Sequence, residues 1–188
     1  MRPHAFLVVA ASLALVACTR GAATDPSGTG LRAVSEPLPL LQGEDLHGEP
    51  ISSAGFRGHV LVVNAWATWC DPCQQEQPDL VAAANRYRDR GVRFLGINHM
   101  DQTAAATDWV RRFDVPYPSL YDPAGKFAAD LDYYGLPDTY VVDPSGTIRY
   151  IIGPGPATAT QLSTAIDGVL AEAQTSASSA TATNSPAR

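Results

Sequence analysis

Trp69-Cys70-Asp71-Pro72-Cys73 comes after the apolar run Val60–Ala65 with three residues between. A nearly all-apolar stretch with β-branched residues at its centre reads as a strand covered on both faces, so the two thiols fall at a strand-to-helix junction. A Cys that opens a helix faces backbone N–H groups without intrahelical partners and the positive end of the helix dipole. Both favour thiolate over thiol, and the thiolate is the nucleophile. With two residues between them the cysteines share one helical turn. The first can attack a disulfide and the second can resolve the mixed disulfide that forms.

Two other uses of a Cys-x-x-Cys pair are weaker here. A structural zinc site needs four ligands, yet Cys18 is the only further thiol, and the histidines are His4, His47, His59 and His99. A purely structural disulfide across so short a loop would remove little chain entropy. No metal is expected, and the redox-active Cys70–Cys73 disulfide takes the place of a cofactor.

The chain has 188 residues, 45% of them hydrophobic, which suffices for one core. Its formal net charge is −6, and no Lys/Arg cluster is placed to follow a phosphate backbone, so nucleic acid is excluded as a partner. Arg86, Arg88, Arg90 and Arg93 read as a solvated face.

The N-terminus reads as an address. Arg2 precedes the apolar stretch Ala5–Ala17, too short for a bilayer span but suited to a secretory signal over residues 1–17. Leu15-Val16-Ala17-Cys18 looks like a bacterial lipobox, with Cys18 lipidated; an ordinary signal peptide containing Cys18 is the alternative. Residues 18–36, rich in Gly, Ala, Thr, Ser and Pro, are expected to form a flexible tether. Residues 37–173 are expected to be the folded domain, and the Ala/Ser/Thr tract 174–188 a disordered tail.

Within the domain, Leu38–Leu41 and Leu46–Ile51 suggest short strands or a hairpin. Val60–Ala65 should be central. The helix opened by the Cys pair carries Leu80, Ala84 and Tyr87 on one face, includes Pro78, and ends near Gly91. Pro78 is expected to kink it. Val92–Asn98 predicts a second buried strand, followed by a helix marked by Ala106, Trp109, Val110 and Phe113. Pro116 and Pro118 end that helix, Tyr121–Gly125 is turn-like, and Lys126–Tyr133 predicts a short helix. Thr139–Asp143 and Thr147–Ile152 flank Pro144-Ser145-Gly146 and should pair antiparallel. Leu162, Ala165, Ile166, Val169, Leu170 and Ala173 mark a last helix. The order predicts an α/β sandwich around a mixed sheet.

Two segments carry a family resemblance. Asn64-Ala65-Trp66-Ala67-Thr68-Trp69-Cys70-Asp71-Pro72-Cys73 with Glu76 and Pro78, and then Gly135-Leu136-Pro137-Asp138-Thr139-Tyr140-Val141-Val142-Asp143-Pro144-Ser145-Gly146, resemble the two signatures of the TlpA/ResA-like thiol-disulfide oxidoreductases of the thioredoxin superfamily. The resemblance implies a thioredoxin-like three-layer α/β sandwich with a mixed central sheet and an inserted helix within Met100–Leu131. It implies that Cys70 is the exposed attacking thiol, Cys73 the buried resolving thiol, and Pro72 the residue shaping the turn between them. Trp66 and Trp69 match aromatic positions that shield the pair, Trp69 also facing substrate. Pro137 would be cis, leaving the backbone of Leu136 to pair with an extended substrate segment. Glu76 matches an acidic position that serves proton transfer near the buried thiol. Asp138 departs from the Thr common in the family.

The resemblance implies an extracytoplasmic enzyme anchored to the membrane through Cys18. Its substrate would be a disulfide-containing protein such as apocytochrome c, and a membrane protein would supply its electrons. Acidic Asp71 and Asp138 favour neutral thiols, which accompany low reduction potentials and so a reductant. An oxidant or isomerase for secreted proteins uses the same cysteines and is the alternative. A thiol peroxidase lacks its Pro-x-x-x-Thr-x-x-Cys loop here, and a copper chaperone of the Sco type would space its cysteines by three residues.

Overall fold

The computed structural model describes residues 30–183 except 132 and 134, and of residues 176–183 the backbone alone. The expected signal segment, Cys18, most of the expected tether and residues 184–188 lie outside the described residues. A six-stranded sheet runs through the centre in the order β1 (Leu31–Pro37), β8 (Thr147–Ile152), β7 (Asp138–Val142), β4 (Val60–Trp66), β5 (Val92–His99), β6 (Ser119–Asp122). Strands β4, β5 and β6 are parallel, whereas β7, β8 and β1 pair antiparallel in turn, so the sheet is mixed as expected. A small hairpin, β2 (Gln42–Glu44) with β3 (Pro50–Ser52), lies beside β6 through an Asp45–Leu120 bridge.

Every residue of β4 is buried. Its side chains alternate between faces, as the two-residue period of a strand requires. Val60 and Val62 join Leu80, Tyr87, Leu162 and Ile166 from helices α1 (Asp71–Tyr87) and α4 (Ala159–Thr183). Leu61, Val63 and Ala65 join Leu41, Phe127 and Leu131 on the other face, where helix α3 (Lys126–Leu131) packs. Helix α2 (Thr103–Arg112) adds Ala106 and Trp109 to a third cluster, which holds Trp66, Ala67, Cys70 and Cys73 at the end of β4.

Several boundaries differ from the sequence reading. The sheet begins at Leu31, inside the segment expected to be tether, because β1 is held by backbone pairing to β8 and needs few apolar side chains; only Leu31 is buried. Helix α4 runs to Thr183, ten residues beyond Ala173, into the Ala/Ser/Thr tract expected to be a disordered tail. Ser119–Asp122 is a strand the sequence did not predict, and the turn expected over Tyr121–Gly125 begins after it, at Pro123. Pro78 lies inside α1, which continues past it to Tyr87. Gly91, at φ +78°, closes the 3-10 turn Arg88–Arg90 rather than α1 itself.

Candidate active site

Cys70 is the N-cap of α1, with extended backbone at φ −96° and ψ 103°, and its Sγ accepts a hydrogen bond from the Cys73 N–H at 3.2 Å. Pro72 occupies the first turn, where its missing N–H costs no hydrogen bond. The two sulfurs form a disulfide with Cα atoms 5.3 Å apart. Cys70 is 5% exposed and Cys73 1%. The expected ranking of access is kept, but Cys70 is buried rather than exposed in this oxidised form. Its surroundings are apolar: Leu46, Trp66, Ala67 and Leu136 pack in the same cluster.

The two tryptophans take different positions. Trp66 is buried, stacks on Trp109 with ring centroids 5.3 Å apart, and donates from Nε1 to Ser119 Oγ. Trp69 is 58% exposed, as is its neighbour Met100 at 57%. Its indole donates to the Met100 carbonyl at 3.1 Å and tilts against His99, so packing around the sulfurs comes from Trp66, while Trp69 forms an exposed shoulder.

Antiparallel pairing of β7 on β4 sets Asp138 opposite Ala65, which brings Leu136 and Pro137 to the end of β4 where the Cys loop starts. The Leu136–Pro137 peptide bond is cis, Pro137 is buried, and Leu136 packs against the cluster holding both cysteines. Gly153–Pro154 is a second cis bond. The Asp138 carboxyl fills the space beside Gly153, where any Cβ would collide with it.

Glu76 sits one helical turn after Cys73 and is only 2% exposed. Its Oε2 accepts from the Ala157 N–H at 2.6 Å, and its Oε1 from Asn64 Nδ2 at 2.7 Å. Burial pushes its pKa up to about 7 against the pull of these two bonds, and the nearby Asp138 raises it further. Burial likewise raises Asp138 to about 6, opposed by Arg32 of β1. A carboxyl raised to about 7 lies in the range where a proton can be exchanged near neutral pH.

Asn64, Asp101 and His99 were not singled out by sequence reasoning. Asn64 links Glu76 to Thr139. His99 Nδ1 lies 2.9 Å from the Tyr133 hydroxyl, and burial lowers its pKa. Isolated polar residues carry no periodic pattern, and their partners come together only in the fold: Thr139 through the pairing of β7 on β4, and Thr68 with Asp101 through the pairing of β5 on β4. Among the described residues, no cluster of three or more His, Cys, Asp or Glu is arranged to hold a metal.

A disulfide between a helix N-cap and the next turn, beside a cis-proline loop and with a buried carboxyl of raised pKa one helical turn on, defines a thiol-disulfide oxidoreductase of thioredoxin-like fold. Comparison with known proteins agrees. The AhpC/TSA family matches residues 34–151. The thiol:disulfide interchange protein DsbE of Pseudomonas fluorescens biotype C is 36% identical over 146 residues, 77% of each chain. That of Escherichia coli K12 is 31% identical over 149 residues, 77% of this chain and 78% of that one. Among solved structures, a DsbF homologue from Corynebacterium diphtheriae superposes with a TM-score of 0.68 at 30% identity, covering 77% of this chain and 96% of its own. A secreted thiol-disulfide isomerase from Corynebacterium glutamicum gives 0.70 at 27% identity, covering 79% and 96%. The chain belongs to the AhpC/TSA family of the thioredoxin superfamily, in the group of DsbE-like thiol:disulfide interchange proteins.

Proposed function

We propose that this protein is an extracytoplasmic disulfide reductant of the ResA type. Cys70 attacks the disulfide of a protein substrate, Cys73 releases the reduced substrate, and Glu76 exchanges the proton of the inner thiol. The observation that carries the reductant reading is the acidic setting: Asp71 in the first turn of α1, with Glu76 and Asp138 close by. No Lys, Arg or His occurs between residues 64 and 79 to offset them. Apocytochrome c, whose haem-binding cysteines must be reduced, is the substrate this reading favours, and a membrane protein restores the electrons. Cys18 anchors the chain as a lipoprotein. One acyl chain binds membranes marginally, so the several chains of a bacterial lipoprotein supply the attachment.

The second reading, an oxidant or isomerase for secreted proteins, is favoured by the likeness to the secreted isomerase from Corynebacterium glutamicum. Cys73→Ala decides between substrates, because Cys70 then stays joined to what it attacks. Apocytochrome c in the trapped complex supports the first reading; a spread of secreted proteins without it overturns it. Cys18→Ala should release the protein from membranes, and a wild-type protein already free of them would refute the anchor.

A further inference from the structure

Parallel pairing of β4 and β5 sets Trp66 opposite Asn98. Both strands therefore end at the same edge of the sheet, and the turn His99–Gln102 lies against the loop Ala67–Cys70. One carboxylate joins them. Asp101 Oδ2 accepts from the Thr68 N–H at 2.6 Å and from Asn98 Nδ2 at 3.0 Å. Its Oδ1 accepts from Thr68 Oγ1 at 2.7 Å and from the Gln102 N–H at 2.8 Å. These donors hold the carboxyl below the ordinary carboxylate range even though burial opposes ionisation. The turn itself is fixed from behind, since the Tyr121 hydroxyl donates to the Asp101 carbonyl and the Met100 N–H to the Asp122 carbonyl. Met100 is held at φ +47°, a backbone region that side chains with a Cβ seldom occupy.

We propose that Asp101 is a positioning residue for disulfide exchange: by gripping Thr68 through both its backbone and its hydroxyl, it fixes the loop that aims Cys70 Sγ from the start of α1. This rests on Cys70 being the attacking thiol. Thr68 is two residues before Cys70, and the Cys70 N–H donates to the Ala67 carbonyl, so movement of Thr68 turns the N-cap directly. A disulfide exchange requires three sulfurs in line, and misplacing a reacting group by about 1 Å can cost about a hundredfold in rate. Asn at 101 would keep the shape but not the bonding. Four donors converge on two oxygens, and whichever way its amide turned, its NH₂ would face one or other backbone N–H, that of Thr68 or that of Gln102.

The test follows the reduced enzyme as it oxidises itself on a short synthetic peptide with one intramolecular disulfide, in single turnover over a range of peptide concentrations. Asp101→Asn should lower the rate at saturating peptide roughly tenfold or more, and move the half-saturating concentration by less than about threefold. Thr68→Val, which loses only the hydroxyl, should show a smaller loss of the same kind, and Thr68→Ser should restore the wild-type rate. Thr68→Val carries the test alone if Asp101→Asn does not fold. Saturating rates within about twofold of wild type in the folded variants would overturn the proposal, as would a loss confined to half-saturation or one shared by Thr68→Ser. A Cys70→Ser variant that keeps its activity on the peptide would instead overturn the assignment of the attacking thiol.

Discussion

Glu76 has two ways of being satisfied, and Asn64 explains both. As a carboxylate it accepts from the Ala157 N–H and from Asn64 Nδ2. As a neutral acid it must donate, and Asn64 Oδ1 is a buried acceptor without a partner, one amide rotation away. The Thr139 hydroxyl, which now accepts from Asn64, can equally donate after that rotation. The pH dependence of stability follows. The folded pKa of about 7 lies above the ordinary 4.5, so between these values the folded state keeps a proton that the unfolded state releases. The contribution of Glu76 to stability is therefore full below pH 4.5 and is lost as pH rises towards 7. The difference of 2.5 (7 minus 4.5), at about 1.4 kcal/mol each, sets an upper limit of about 3 to 4 kcal/mol. Asp138 acts with the same sign over a lower and more solvent-screened range. Glu76→Gln, whose amide can donate to the rotated Asn64, should flatten the decline. Urea unfolding of the oxidised protein at several pH values between about 5 and 8 measures it; an unchanged slope would show that Glu76 titrates as an ordinary carboxylate.

At the scale of elements, the start of α4 shows how the site is tied to the frame. Thr158 and Gln161 form a capping box, the Thr158 N–H donating to Gln161 Oε1 and the Gln161 N–H to Thr158 Oγ1. Two carboxylates from α1 reinforce it across the fold: Glu76 on the Ala157 N–H and Asp79 on the Ala159 N–H at 3.0 Å. Asp79→Ala should therefore cost about 1 kcal/mol, the worth of a helix cap, without changing the reactivity of the cysteines. Denaturant unfolding beside thiol alkylation checks both parts. The long apolar or periodic elements, β4, β5, α1 and the first turns of α4, were legible because burial on a fixed face leaves a period in the sequence. Strands β1 and β6 were not. The first is an exposed edge held by backbone bonds, and the second is four residues between prolines whose buried ends are Ser119 and Asp122. In the site, Cys70 and Cys73 were legible from their spacing, and Pro137 through the family resemblance of its segment. Asp101 was not, because its partnership with Thr68 exists only through the register of β4 on β5.

Charge acts on the redox couple through the whole molecule. The chain carries a formal net charge of −6, and the acids nearest the disulfide oppose what the helix offers. A helix N-terminus stabilises a nearby anion by about 0.3 to 1 kcal/mol, and by up to about 2 in a partly buried site. Cys70 receives that help at its N-cap position, but Asp71 shares the first turn, and apolar neighbours deprive a thiolate of water. The reduced form thus gains little from ionisation, which holds the dithiol short of the stability that makes strong oxidants. About 30 mV corresponds to about 1.4 kcal/mol for a two-electron couple, so these opposing effects move the potential by tens of millivolts. The expected value lies nearer about −270 mV than about −120 mV. Equilibration with glutathione and dithiothreitol buffers measures it, and Asp71→Asn should shift it upward by removing one opposing charge. A wild-type value above about −180 mV would instead mark the protein as an oxidant or isomerase, with the helix N-terminus at Cys70 outweighing both the acidic residues and the apolar packing.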